Sequence, residues 1–162
     1  MHSKSLLRHL VLFYVGFVTY ITVEVLYRGY SYPLMGLLGG ISLILIGMIN
    51  NKISWHLDLT IQGLIGTVIG TALEYITGVA DRTFLHLSMW DYSDIPLNFQ
   101  GIICLPFSIA WLALSIIAIF IADAIDYYIF DEQPLPHYHV GRWIFYFREK
   151  DKHNDKRLSE AR

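Results

Sequence analysis

Cysteine is almost missing from this sequence: Cys104 stands alone among 162 residues. An intrachain disulfide and a thiolate metal cluster are therefore excluded. No glycine-rich loop running into Lys and Ser or Thr is present, so the chain has no nucleotide-hydrolysing motif of its own. Charge is scarce over most of the length. Between Gly29 and Ala80 only Lys52, Asp58 and Glu74 are charged, whereas half of all charged side chains lie from Asp131 to Arg162. The net charge of −2 averages over that unevenness, and nucleic acid is not expected as a partner.

What the sequence has in excess is apolar surface. Hydrophobic residues make up 54% of the chain and aromatics 15%. A soluble domain of this length could not bury so much, whereas lipid accepts it on the outside. A spanning helix needs roughly 20 apolar residues, since about 30 Å of hydrocarbon is crossed at about 1.5 Å per residue. Four stretches meet or approach that length, at residues 6–27, 33–49, 57–78 and 101–122, the last extending toward Phe130. Lys4 and Arg8 before an apolar run suggest a signal peptide. Leu10 to Leu26 is long for one, however, and no small-residue cleavage pattern follows, so an uncleaved first helix is expected. The expected fold is an all-α integral membrane protein: a bundle of about four transmembrane helices over residues 1–130, with an interfacial outer loop or half-helix. Residues 131–162 form a cytoplasmic juxtamembrane segment and charged tail.

Lysine and arginine set the orientation. With the N terminus inside, Lys4, Arg8, Lys52 and seven tail residues lie on the cytoplasmic side, leaving only Arg28 and Arg82 outside. Both termini are therefore expected in the cytoplasm. Gly36, Gly40 and Gly47 form a stripe of small residues on the second span. Gly63, Thr67, Gly70, Glu74 and Gly78 form another on the third. Such stripes let helix backbones approach, either within one bundle or between two copies.

Carboxylates inside spans are informative because an ionised one costs several kcal/mol in lipid and so faces a bundle interior or a wet cavity. Glu24 and Glu74 each lie about one turn inside the outer end of a helix. Tyr20, Glu24 and Arg28 share a face at four-residue spacing, so Glu24 and Arg28 can pair within their helix. Glu74 has no such neighbour; Arg82 is two turns away. If Glu74 is buried for function, Glu74→Leu should remove activity and raise stability.

Asp81 to Gln100 is too rich in Leu, Phe, Met and Trp for a solvated loop. Trp90 and Tyr92 suit the membrane interface. Asp91, Ser93 and Asp94 can satisfy turn donors before Pro96 ends regular structure. The segment reads either as a capped interfacial half-helix or as a lid carrying His86, Asp91 and Asn98 over Glu24 and Glu74. The candidate polar cluster at the outer face is thus Glu24, Arg28, Glu74, Asp81, Arg82, Trp90, Asp91 and Asn98. No residue is singled out as catalytic. His86 and Asp91, with Asp81 and Glu74, are weak candidates for a divalent cation. His137 and His139 form an H-x-H pair in a Pro-rich exit region without a carboxylate framework, so a metal is not expected there. Asp123 and Asp126 mark where the fourth span leaves the bilayer. Residues 142–148 read as a basic-ended aromatic segment on the inner leaflet, and the tail after Glu149 mixes both signs of charge.

Glu74, Thr77 and Gly78, then Trp90-Asp91-Tyr92-Ser93, Pro96, Asn98, Gly101, Ile103-Cys104-Leu105 and Trp111 resemble a bacterial membrane-protein family, the CmpB-like or "type IV" ABC-transporter permeases. The resemblance covers the middle of the chain, and its W-D-Y-S to I-C-L run is fairly specific. It implies a transporter membrane subunit in the bacterial cytoplasmic membrane. Four helices without a nucleotide site then require partners: a separate ATPase subunit, and either a homo-oligomer or another membrane subunit. Two other functions compete, a membrane-embedded enzyme acting on lipid or a metal-dependent substrate at the outer face, and a non-catalytic accessory or assembly protein. No cofactor is indicated.

Overall fold

The computed structural model describes residues 2–132 and 134–150. Its elements are helices α1 (His2–Arg28), α2 (Pro33–Gly47), the short α3 (Ile49–Lys52) and α4 (Leu59–Ala80), which runs on into a π-helical turn at Asp81–Leu85. Strands β1 (Asn98–Phe99) and β2 (Ile103–Cys104) follow, then α5 (Leu105–Tyr128) and strands β3 (His137–Val140) and β4 (Trp143–Tyr146). Four helices are long and apolar enough to cross a membrane: Lys4–Arg28, Pro33–Lys52, Leu59–Leu85 and Leu105–Tyr128. The protein is a helical membrane bundle with two small antiparallel β-pairs, β1–β2 and β3–β4.

Local chemistry sets the helix ends. Pro33 opens α2 at a position where its missing N–H is not needed. Asp58 caps α4 by accepting from the Thr60 N–H at 2.8 Å. The fourth span starts at Leu105 rather than at Gly101. Gly101 has φ +63°, and a Cβ there would meet the Asp91 carboxylate at 2.7 Å, so the chain turns tightly through β1–β2 before Pro106 starts the helix.

Both small-residue stripes are occupied within the bundle. A Cβ on Gly16 of α1 would lie 2.5 Å from the Gly39 carbonyl of α2, and one on Gly40 would meet the Phe13 ring at 2.6 Å. Gly47 faces Ala122 of α5. On α4, Gly63 packs on Leu112 and Ile116, Gly66 on Ser115, and Gly70 on the indole of Trp111. Close approach of these backbones supplies the dispersion contacts that hold helices together where lipid removes the hydrophobic drive. As a result α2 is the most enclosed span, wrapped by α1, α4 and α5. Helices α1 and α5 meet at few points, where Leu12 clusters with Ala122 and Ile125 and where Tyr20 stacks on Trp111.

At the bundle end where α5 finishes, the β3–β4 hairpin folds back and inserts Tyr138, 1% exposed, among Ile46, Ile49, Leu59 and Ile119. Beside it lies a polar knot. Arg8 donates from Nε and Nη2 to both oxygens of Asp126, each at 2.5 Å. Asp123 accepts from Asn50 Nδ2 at 2.7 Å and from the Tyr138 hydroxyl at 2.8 Å. Asp123 and Asp126 are therefore buried in a network rather than open to water at the helix exit. Residues 142–148 supply strand β4, whose four residues are exposed; a two-residue turn with Gly141 at φ +58° makes the hairpin. The tail from 151 onward lies outside the described residues.

Candidate functional site: an apolar cavity with two carboxylates

Glu74 lies on the glycine face of α4 and is 4% exposed. Its Oε1 accepts from the Tyr92 hydroxyl and its Oε2 from the Trp111 indole N–H, both at 3.0 Å. Each donor is positioned by packing. Gly70, one turn before Glu74, leaves the space that the Trp111 ring fills, and Tyr20 of α1 stacks on the same indole, centroids 6.1 Å apart. Tyr92 stacks on Phe107 at 4.7 Å and 12°. Burial and the adjacent Glu74 carboxylate push the Tyr92 phenol above its ordinary pKa, so it stays a donor.

Glu24 pairs with Arg28 one turn along α1. Arg28 also donates to the Met89 carbonyl at 2.6 Å and lies over the rings of Tyr30 and Tyr32. That guanidinium joins the end of α1 to the 81–104 loop. Met89 in turn is buried against Met35 and Leu38 of α2.

The remaining candidates build the loop itself. Asp81, 3% exposed, accepts from the N–H groups of Leu87 and Met89, each at 2.9 Å. These bonds stabilise a backbone in which His86 and Ser88 take φ of 53° and 49°. Arg82 donates to the Gln100 carbonyl and lies 3.5 Å from Asp91. The Ser93 hydroxyl and N–H both donate to Asp91 and hold its carboxyl below the ordinary range. Asn98 donates to the Ser93 and Ile95 carbonyls and accepts from the Gly101 N–H at 2.9 Å. Trp90 donates to the Ile102 carbonyl at 2.8 Å.

The cavity itself occupies about 460 Å³ between α1, α2 and α5. It exists because α1 and α5 each pack on α2 but hardly on each other. Its wall is mainly apolar, from Gly16 and Val23 of α1, Leu43 and Ile46 of α2, and Ala110 to Ile121 of α5. The polar lining includes Glu24, Glu74, Tyr20, Tyr92 and Ser42. Of the eight residues expected at the outer face, Glu24 and Glu74 line this space, Arg28 braces Glu24, and Asp81, Arg82, Trp90, Asp91 and Asn98 are engaged within the loop. Sequence reading missed Ser42, whose Oγ is buried without a hydrogen-bond partner. A lone serine in an apolar run gives no signal of that. Trp111 entered only through the family resemblance, because its pairing with Gly70 and Glu74 spans 37 positions or more.

Among the described residues, one group of at least three His, Cys, Asp or Glu side chains has ligand atoms within 4.8 Å of one another: His56, His137 and His139. His86 and Asp91 are not part of it.

Comparison with known proteins gives a match to the family model described as "Putative ABC-transporter type IV", over residues 12–147. No curated protein and no solved structure matches the chain.

Proposed function

Because the chain belongs to the ABC-transporter type IV family, we propose that it is the membrane subunit of an ABC-type transporter and that the cavity between α1 and α5 holds its substrate. The observation that carries this reading is the buried Glu74 carboxylate on the wall of a mainly apolar cavity. A carboxylate has about four lone-pair sites, and Tyr92 and Trp111 use two of those on Glu74. The remainder can meet a cationic or hydrogen-bond-donating group. The apolar walls suit an apolar body, so the substrate class is a small amphipath with a basic or donor-rich head. ATP hydrolysis falls to a separate subunit, since this sequence has no nucleotide loop. The end bearing Arg8 and the β3–β4 hairpin faces the cytoplasm of a bacterium on this reading, supported by Lys4, Arg8, Lys52, Arg142, Arg148 and Lys150 at that end, and Glu74 then lies toward the outer face.

The test is to identify by mass spectrometry the small molecules that stay with the protein after mild detergent extraction from its host. Wild type is expected to retain an amphipath that Ala113→Trp loses. Ala113 lines the cavity and is exposed to it, so the indole fills space without disturbing the core. An identical set of retained molecules in both proteins would refute the cavity as the binding site.

A further inference from the structure

The structure assigns a second site, at the opposite end of the bundle from Glu74: we propose that His56, His137 and His139 bind a borderline divalent transition metal, Zn²⁺ or an ion of similar preference. It stands independently of the transport reading.

The three histidines come from two separate pieces of chain. His137 and His139 are two apart on strand β3 and so project from the same face of the hairpin. His56 lies in the turn between α3 and α4, 81 residues earlier. Asp58 brings the pieces together. Its Oδ2 accepts from the Gly141 N–H at 2.7 Å, and its backbone forms a β-bridge with His139. Because the same carboxylate caps α4, the turn carrying His56 is held against the hairpin.

Ring centroids are 5.5 Å apart for His56 and His139, 6.0 Å for His137 and His139, and 6.3 Å for His56 and His137. One nitrogen from each ring lies within 4.8 Å of the other two. A tetrahedral ion with Zn–N of about 2.0–2.1 Å places its ligands roughly 3.4 Å apart. Small side-chain rotations close that difference, and the exposed His56 is free to make them.

His137 is already set up as a ligand. Its ring lies between Trp55, at 5.3 Å and 22°, and Tyr146, at 5.8 Å and 25°. Its Nδ1 is 3.0 Å from the Leu135 carbonyl. A carbonyl only accepts, so Nδ1 carries the proton and Nε2 presents its lone pair. Metal-bound histidines are ordinarily oriented by such a bond. Three neutral imidazoles favour Zn²⁺, Cu²⁺ or Ni²⁺ over Mg²⁺ or Ca²⁺, which want oxygen. With three protein ligands the fourth position is left to water or a partner's group. A bound ion would lock the α3–α4 turn to the hairpin that seals the bundle.

The full chain, purified through a tag without histidine and stripped with chelator, should be titrated with Zn²⁺ and, for its visible spectrum, with Co²⁺. We expect one ion per chain, a Co²⁺ band of tetrahedral type, and a rise in melting temperature. His56→Ala and His139→Ala should each weaken binding at least about tenfold, whereas His86→Ala should leave it unchanged. His56 is exposed, so unliganded His56→Ala should melt with unliganded wild type, separating lost ligation from lost folding. Binding well below one ion per chain, or a His56→Ala that binds like wild type, would overturn the site.

Discussion

Arg8→Ala is expected to lower the stability of the protein by about 3–5 kcal/mol, the range for stripping a buried carboxylate of its partner. Arg8 is 12% and Asp126 8% exposed at the side chain, so solvent screens the pair little. Both Asp126 oxygens receive a guanidinium N–H, a fork geometry that Lys could not reproduce. Among the described residues, the only other donor to the Asp126 carboxylate is Asn51 Nδ2, at 3.4 Å. Without Arg8, the charge of Asp126 would lie beside that of Asp123, itself buried three residues away. The effect is also architectural, because α1 has few other contacts with α5. The Arg8–Asp126 pair clasps these helices at the hairpin end, below the cavity that parts them. Thermal unfolding in detergent checks this, with Asp126→Asn restoring part of the loss in the Arg8→Ala background. A coupling of about 0.5–3 kcal/mol is expected from the double-mutant cycle. If Arg8→Ala melts with wild type, the pair adds nothing to the attachment of α1.

Glu74→Gln should fold normally and lose function. The amide oxygen can accept from the Trp111 N–H, which can only donate, while the Tyr92 hydroxyl can turn to accept from the new NH₂. The hydrogen-bond count is then preserved, and what disappears is the charge facing the cavity. Retention of a cationic amphipath, and any transport that depends on it, is expected to fall at least about tenfold, equivalent to about 1.4 kcal/mol. Glu74→Leu should behave differently. For an isolated buried carboxylate, Leu would relieve desolvation and raise stability, as the sequence alone suggests. Here it leaves the Trp111 N–H and the Tyr92 hydroxyl unsatisfied, at about 1–3 kcal/mol each, so stability should fall. A Glu74→Gln protein that retains its ligand and its activity in full would make Glu74 a structural residue.

The contrast between those two variants shows where sequence reading reached and where it stopped. The four spans were legible because long apolar runs and a scarcity of charge are local signals. Glu74 was legible as a buried carboxylate because it falls on a glycine stripe at helical spacing. Its donors were not, since Tyr92 and Trp111 arrive from separate segments. The start of α5 was read too early because Ile102, Ile103 and Cys104 are as apolar as the helix they precede; the left-handed turn at Gly101, capped by Asn98, interrupts the pattern only in three dimensions. Residues 142–148 carry no apolar–polar alternation, so nothing local marked strand β4. Their pairing with β3 is set by Gly141 and by Tyr138 reaching Asp123. The H-x-H pair looked unsupported because its third histidine lies beyond two helices.

Whether this chain is the membrane half of an ATP-driven transporter can be decided by native mass spectrometry of the protein released in mild detergent from its own host. A complex in which the chain is bound in fixed ratio to an ATP-hydrolysing subunit is expected. A chain recovered alone, or only with copies of itself, would contradict it.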